Sequence, residues 1–347
     1  MAELAEGRVS PPELARPPAA SLGAIGWARA NLFSSWGNTV LTLVAAAFLA
    51  WYVPPFVKWA FLGAHWAAAN SQECKASEGA CWAFIGEKWR FILFGRFPYE
   101  EQWRPAVVCL VFVGLFLASC DRRLWGRSLI VIWLGGGALA LTLMFGGVFG
   151  MTYVETALWN GLPLTLILAV IGMAFAFPLA ILLALGRRSD MPAVRSLCVA
   201  YIELIRGVPL VTLLFMSSVM LPLFLPPGLT IDKLLRAQIA IILFAAAYLA
   251  EIVRAGLQSI PKGQYEAADA LGLSYWRKTR LIILPQALAS VIPPLVNTFV
   301  GAFKDTSLVA IVGIFDLLLA VQNSSNNPDW KSPTTPETGY VAAGVIF

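Results

Sequence analysis

Polar residues are so sparse along most of this chain that the apolar runs outline it unaided. Runs stand at about 39–62, 105–120, 128–150, 157–185, 196–225, 237–256 and 281–303, and another begins near 340. A hydrocarbon layer about 30 Å thick takes roughly 20 residues wound as helix, so eight spans are the expectation. The run at 105–120 is short, because some 16 residues rise only about 24 Å. The last, YVAAGVIF, stops at Phe347 after a rise of about 12 Å, and the rest of that span is expected to lie beyond it. In lipid each backbone N–H and C=O must be satisfied within its own segment, which selects helices for runs of this length.

The loops between the runs orient them. Arg122, Arg123 and Arg127, then Arg187 and Arg188, then Lys262, Arg277, Lys278 and Arg280 fall in loops that alternate correctly if all face the cytoplasm. Residues 63–104 and 226–236 are then outside. Trp51, Tyr52, Trp59, Trp66, Trp82 and Trp89 crowd the outer end of the first run and its loop, as an interfacial aromatic belt does. Residues 1–38 read as a Pro-rich cytoplasmic tail without the pattern of a signal peptide. Residues 39–150 read as a three-span extension carrying the extracytoplasmic loop 63–104, and 151–347 as a core. No internal repeat is evident.

Composition agrees: 59% of the 347 residues are hydrophobic and 13% charged, against about 25% charged in soluble domains. Mean hydropathy is +0.73. The net charge of +5 is spread beside the apolar runs, which topology explains without nucleic acid. Cys109, Cys120 and Cys198 read as small buried thiols, and no metal spacing appears. Cys74 and Cys81 share the polar outer loop, where a disulfide can persist; bridged and free forms both remain open. His65, the only histidine, lies near an interface and has no evident catalytic partner, and no catalytic cluster of nucleophile and base appears.

The patterned polar stretch is IPKGQYEAADALGLSYWRKTRLIILPQA. Pro261 suits a first helical turn, Glu266 favours helix, and Gly272 can take the left-handed conformation that ends one. A helix over about 261–271, lying across the cytoplasmic membrane surface, is predicted. Ala268 and Gly272 are four residues apart and would offer a small-residue socket on one face. Ser274 is placed to cap a second helix, and Pro285 permits a bend.

Glu266-Ala267-Ala268, then Gly272, Ile282 and Leu284-Pro285 at their spacing, resemble the EAA signature of ABC importer permeases. IELIRGVPL at 202–210, AYLAEIVRAGLQSIPKGQ at 247–264 and FKDTSLVAIVGIFDLL at 303–318 resemble the histidine/glutamine/glutamate branch, over about 156–347. Val208 stands where that branch usually has Thr. The extension resembles the larger permeases of general L-amino-acid importers. The resemblance implies an all-α integral membrane protein of the bacterial inner membrane, with a type I, MetI-like importer core of five spans and about three extra N-terminal spans. It implies a coupling helix seated on a cytoplasmic ATPase through Glu266, Ala267, Ala268, Gly272, Leu284 and Pro285. The implied partners are two ATPase subunits that bind ATP and Mg, a second related permease, a periplasmic amino-acid-binding protein and polar L-amino acids. No cofactor belongs to this chain itself. The sequence lacks the G-x-x-x-x-G-K-S/T loop that cradles nucleotide, so hydrolysis falls to a partner.

Two further constellations carry two readings each. Glu203 and Arg206 would lie at membrane depth on a straight helix, Arg206 some 18 Å from its cytoplasmic end. They either pair with each other near a Pro209 bend or line the substrate path. Lys304, Asp305, Thr306 and Ser307 precede LVAIVGIFDLLLA and either cap that helix or place its positive end near a substrate carboxylate. A stand-alone secondary transporter would show matching broken helices in two halves, which are not apparent, and a structural membrane subunit without a substrate path is the third class.

Overall fold

A computed structural model describes residues 23–68, 71–76 and 78–346; positions 1–22 of the expected tail, and 69, 70 and 77 of the outer loop, lie outside the described residues. The chain divides into two compact units, the break falling between Ala64 and His65.

In the first unit α1 (Gly23–Asn31) precedes α2 (Trp36–Val57). Ser35 begins α2 in extended backbone, its Oγ accepting the Asn38 N–H at 3.3 Å, as an N-cap does. Pro54 and Pro55 lie within α2 and are followed by a wider turn of π-helix over Lys58–Leu62, a local adjustment to the missing prolyl N–H groups. No side chain of α2 is buried, which suits an apolar helix whose solvent is lipid.

The second unit runs α3 (Ser71–Lys75), α4 (Trp82–Phe94), α5 (Trp103–Cys120), α6 (Arg127–Phe145), α7 (Gly161–Arg187), α8 (Pro192–Arg206), α9 (Leu210–Phe215), α10 (Leu221–Phe224), α11 (Lys233–Ser259), α12 (Lys262–Ala270), α13 (Tyr275–Lys278), α14 (Leu284–Ser290), α15 (Ile292–Asp305), α16 (Leu317–Ser325) and α17 (Thr335–Ile346). Its axis is the pair α7 and α11, each 27 residues long. Ala176, Ala180 and Ala184 recur every fourth residue on one face of α7, and Ala245, Ala246 and Ala250 are buried on α11. Small side chains let two membrane helices approach closely, and dispersion then holds them where lipid offers no hydrophobic drive. Gly256 does the same against α14: a Cβ there would meet the Ala287 carbonyl oxygen at 2.5 Å.

Six helices among the described residues are long and apolar enough to cross a membrane, and a bent pair makes a seventh if counted as one span. The eight expected runs map onto these seven and onto α17, with one change of shape. The run at 196–225 is not a straight helix: α8 and α9 meet at 101°, with Pro209 in extended backbone at the N-cap of α9. Proline disfavours helical backbone in the residue before it and gives no N–H to continue the ladder. The residues from 340 belong to α17, whose Thr335, Thr338 and Gly339 are buried in a small layer described below. The short run at 105–120 is extended upstream by a turn of 3₁₀-helix, giving 22 residues over Tyr99–Cys120.

The division expected near residue 150 does not separate compact units. Val108, Phe112 and Leu115 of α5, Leu143 and Met144 of α6, and Leu164 and Leu168 of α7 share one core. Arg104, fully buried, ties the same elements together. Its Nε donates to the Leu143 carbonyl at 2.6 Å and its Nη1 to the Thr152 carbonyl at 2.9 Å, so a cation meets the negative end of α6.

The two ends of α7 carry different structures. At its start the Gly161 N–H donates to the Phe315 carbonyl at 2.9 Å, and α3, α4, α16 and α17 gather there around Phe84, Leu317, Val321 and Ala343. The sulfurs of Cys74 and Cys81 are bonded, their Cα atoms 5.7 Å apart, and both are buried in this layer. The Cys81 N–H donates to Thr338 Oγ1 at 3.1 Å, joining the bridged loop to α17. At the other end of α7 lie Arg187, Arg188 and the linker to α8, on the side of the basic loops.

Candidate coupling segment and substrate path

The helix read over 261–271 stands as α12, Lys262–Ala270, with Pro261 at its N-cap and Leu271 at its C-cap. Its end is a Schellman motif: the Leu273 N–H donates to the Ala268 carbonyl at 3.2 Å and the Gly272 N–H to the Asp269 carbonyl at 2.9 Å. That closure needs a left-handed residue, and Gly272 has φ +67 with open space where a Cβ would be. Polar side-chain contacts hold α12 against its neighbours, among them the bond from Tyr265 Oη to the Leu257 carbonyl of α11 at 3.2 Å. Arg188 Nη1 donates to Tyr265 Oη at 3.2 Å, Lys278 Nζ meets Asp269 Oδ1 at 2.5 Å, and Gln286 Nε2 donates to Gln264 Oε1 at 3.2 Å.

The small-residue socket is corrected by burial. Ala268 is 1% exposed and faces into the chain, so it secures α12 and is not offered outward beside Gly272. The outward features are Ala267, Glu266 without an ion pair among the described residues, and a set of large apolar side chains: Leu271 (76% exposed), Tyr275 and Trp276. Ser274 occupies its N-cap position but makes no side-chain cap bond. From α13 the chain passes through a π-helical turn, Thr279–Ile283, into α14, where Leu284 and Pro285 begin the helix; the wide turn absorbs the proline.

Glu203 and Arg206 do not pair with each other. Glu203 meets Arg187 at 2.8 Å, and the same guanidinium lies 3.4 Å from Glu251, which also pairs with Arg254. The network joins α7, α8 and α11, and the spacing within one run could not disclose it. Arg206 instead stands at the bend, its guanidinium 5.6 Å from the centre of the Tyr248 ring, a cation–π contact. Its Nε is buried without a hydrogen-bond partner among the described residues.

Lys304–Ser307 do not start a helix. They close α15, which tightens into 3₁₀-helix over Thr306–Val312 and ends at left-handed Gly313. Thr306 Oγ1 donates back to the Phe303 carbonyl at 2.6 Å and Ser307 Oγ to the Lys304 carbonyl at 2.8 Å, so neither hydroxyl caps a helix N-terminus. The helix start falls ten residues on, at Asp316, whose carboxylate accepts the Leu318 and Leu319 N–H groups at 3.2 and 2.9 Å. Burial pushes the Asp316 carboxyl up to about 6 against the lowering effect of those bonds.

Asp305 does reach a cavity of about 320 Å³, shared with Met173, Leu210, Phe244, Tyr248 and Thr298. Tyr248 was not singled out in the sequence; its two-sided role, cavity wall and arginine platform, depends on the α8–α9 bend.

The geometry defines a class: a multi-span helical membrane protein with a short helix held against the bundle between two membrane helices, its outer face uncovered. Residues 176–347 match the model of the binding-protein-dependent transport system inner membrane component. The inner membrane amino-acid ABC transporter permease protein YhdY of Escherichia coli K12 is 49% identical over 329 residues, covering 93% of this chain and 88% of that one. The glutamate/glutamine/aspartate/asparagine transport system permease protein BztC of Rhodobacter capsulatus is 40% identical over 400 residues, covering 95% and 91%. The probable glutamine permease GlnP of Bacillus subtilis is 35% identical over 161 residues, covering 46% and 72%. The chain belongs to the family of inner-membrane components of binding-protein-dependent transport systems.

Proposed function

We propose that this chain is the membrane-spanning permease subunit of an ATP-driven importer that moves polar L-amino acids, glutamate, glutamine and aspartate among them, by alternating access. The observation that carries the reading is α12. A short helix with an exposed acidic face, closed by a left-handed glycine, lying on the side of the basic loops and followed by uncovered Leu271, Tyr275 and Trp276, is what a moving membrane subunit presents to a cytoplasmic motor. The partner ATPases bind ATP and Mg and supply the energy. Two of them work with this chain and a second, related permease; the extension before the core suggests unlike permeases, and a periplasmic binding protein delivers the substrate. Alternating access requires a path between two moving halves.

The cavity shared by Asp305, Thr298 and Tyr248 is this chain's share of that path. An amino acid carries both charges, and here the cavity wall includes a carboxylate, Asp305, and a tyrosine, Tyr248, on which Arg206 stacks. Asp305 suits the ammonium and Arg206 the carboxylate. The test is uptake competition by all twenty amino acids with the whole complex in liposomes. Polar amino acids should compete, and the loaded binding protein should stimulate ATP hydrolysis. Arg206→Ala should cut uptake with membrane insertion intact; unchanged transport of every amino acid would exclude the arginine contact.

A further inference from the structure

α7, α8 and α11 converge at the cytoplasmic edge of the bundle around an open pocket of about 530 Å³, lined by Arg187, Arg188, Arg195, Val199, Arg254 and Gln258. Two carboxylates reach these four guanidinium groups, Glu203 at Arg187 and Glu251 between Arg187 and Arg254. Two positive charges are left uncancelled. Arg188 spends its Nη1 on neutral oxygens, the Leu257 carbonyl at 2.8 Å and Tyr265 Oη at 3.2 Å. Arg195 is exposed and has no ion pair or side-chain hydrogen bond among the described residues. Retention of positive loops in the cytoplasm accounts for arginines near a membrane edge. It does not account for four of them around one concavity, on three helices.

We propose that this pocket binds the phosphate group of an anionic lipid of the cytoplasmic leaflet. Guanidinium forks match phosphate oxygens in geometry as well as charge, and basic pockets between membrane helices on this side take such headgroups. The depth selects the lipid as the source, since Arg187 ends the span of α7 and Arg254 lies in the last turns of α11. Arg188 belongs to the pocket and also holds Tyr265 of α12, so a bound headgroup sets the position of that helix against the bundle. This second consequence rests on the proposed coupling role of α12; the binding itself does not.

The complex purified with its partner subunits is titrated with short-chain phosphatidylglycerol, phosphatidylcholine and inorganic phosphate, binding being read by native mass spectrometry and by thermal shift. Phosphatidylglycerol should stay bound and stabilise, and phosphatidylcholine should not. Arg195→Gln should weaken phosphatidylglycerol binding about fivefold, and Arg195→Lys, which keeps the charge and loses the fork, should restore only part of it. Equal affinity in Arg195→Gln would overturn the site, and inorganic phosphate acting as well as the lipid would overturn the headgroup assignment. Should Arg195→Gln fail to assemble, a photoactivatable phosphatidylglycerol on the unaltered complex decides: labelling within 187–199 supports the pocket, and labelling confined elsewhere sinks it. The coupling consequence is read in liposomes, where phosphatidylglycerol should raise binding-protein-stimulated ATP hydrolysis and Arg188→Gln should blunt the rise. Lipid binding without any amino-acid transport would count against the proposed function and leave the pocket standing.

Discussion

The two ends of α7 differ in how completely the chain satisfies itself. At the outer end α3, α4, α16 and α17 form a layer closed by a disulfide, by buried threonines bonded to backbone, and by an aspartate capping α16. At the basic end α12 and α13 are held by a few polar contacts and leave Leu271, Tyr275 and Trp276 uncovered. Exposed apolar side chains that cluster on a water-facing segment mark an interaction surface. The outer layer therefore satisfies itself within the chain, whereas the basic end leaves uncovered the apolar surface proposed to dock the ATPase.

The sharpest way to break this contrast is Gly272→Asp. Left-handed backbone costs a non-glycine residue about 1–2 kcal/mol, and a charge pressed against a partner adds a desolvation penalty. ATPase docking should weaken about a hundredfold, while the isolated chain still inserts and loses only the about 1–2 kcal/mol of backbone strain at the end of α12. Normal docking and substrate-stimulated hydrolysis would remove the coupling assignment. The converse change is Cys74→Ser with Cys81→Ser, which should destabilise the outer layer by about 2–3 kcal/mol for so short a loop and leave docking unaltered. Its companion measurement is site-resolved maleimide labelling of the unaltered protein, in which Cys74 and Cys81 should react only after a reductant whereas the free Cys120 does not need one. Labelling at Cys74 and Cys81 without reductant would defeat the closed-layer picture.

Asp316 gives a smaller, pH-dependent effect. Its carboxyl is raised in the folded state to about 6 from an ordinary value of about 4, so the folded state binds the proton more readily. The stability it contributes is fully present below about pH 4 and is lost as pH rises through about 6, by on the order of 2 kcal/mol. Asp316→Asn can still cap α16 and should flatten that dependence in melting curves; an unchanged curve would place the titration elsewhere. Smallest is Glu266→Ala, an exposed carboxylate on α12, expected to change docking by about 0.5 kcal/mol. A loss as large as that of Gly272→Asp would mean that Glu266 meets a buried cation on the partner.

Local chemistry was readable along the chain where one segment decides its own structure. The apolar runs required membrane helices because an unpaired peptide group in lipid is too costly, and the Pro261 to Gly272 interval defined α12 because both residues restrict or permit particular backbone angles. Pro209 likewise announced a bend. What the bend did to Arg206 and Tyr248 was not readable, since stacking depends on where α11 runs. Glu203 found Arg187 in place of the arginine three residues away because helix packing brings α7 closer than the local turn does. Ala268 turned inward because α12 lies on the bundle, and Lys304–Ser307 closed a helix because the chain tightens into 3₁₀ turns before Gly313. Periodicity and backbone stereochemistry act over a few residues, so the sequence by itself determined where the membrane helices run and the shape of α12. Which charges pair, which small residues face inward and which residues share a cavity depend on side chains far apart along the chain, and only the tertiary packing decided them.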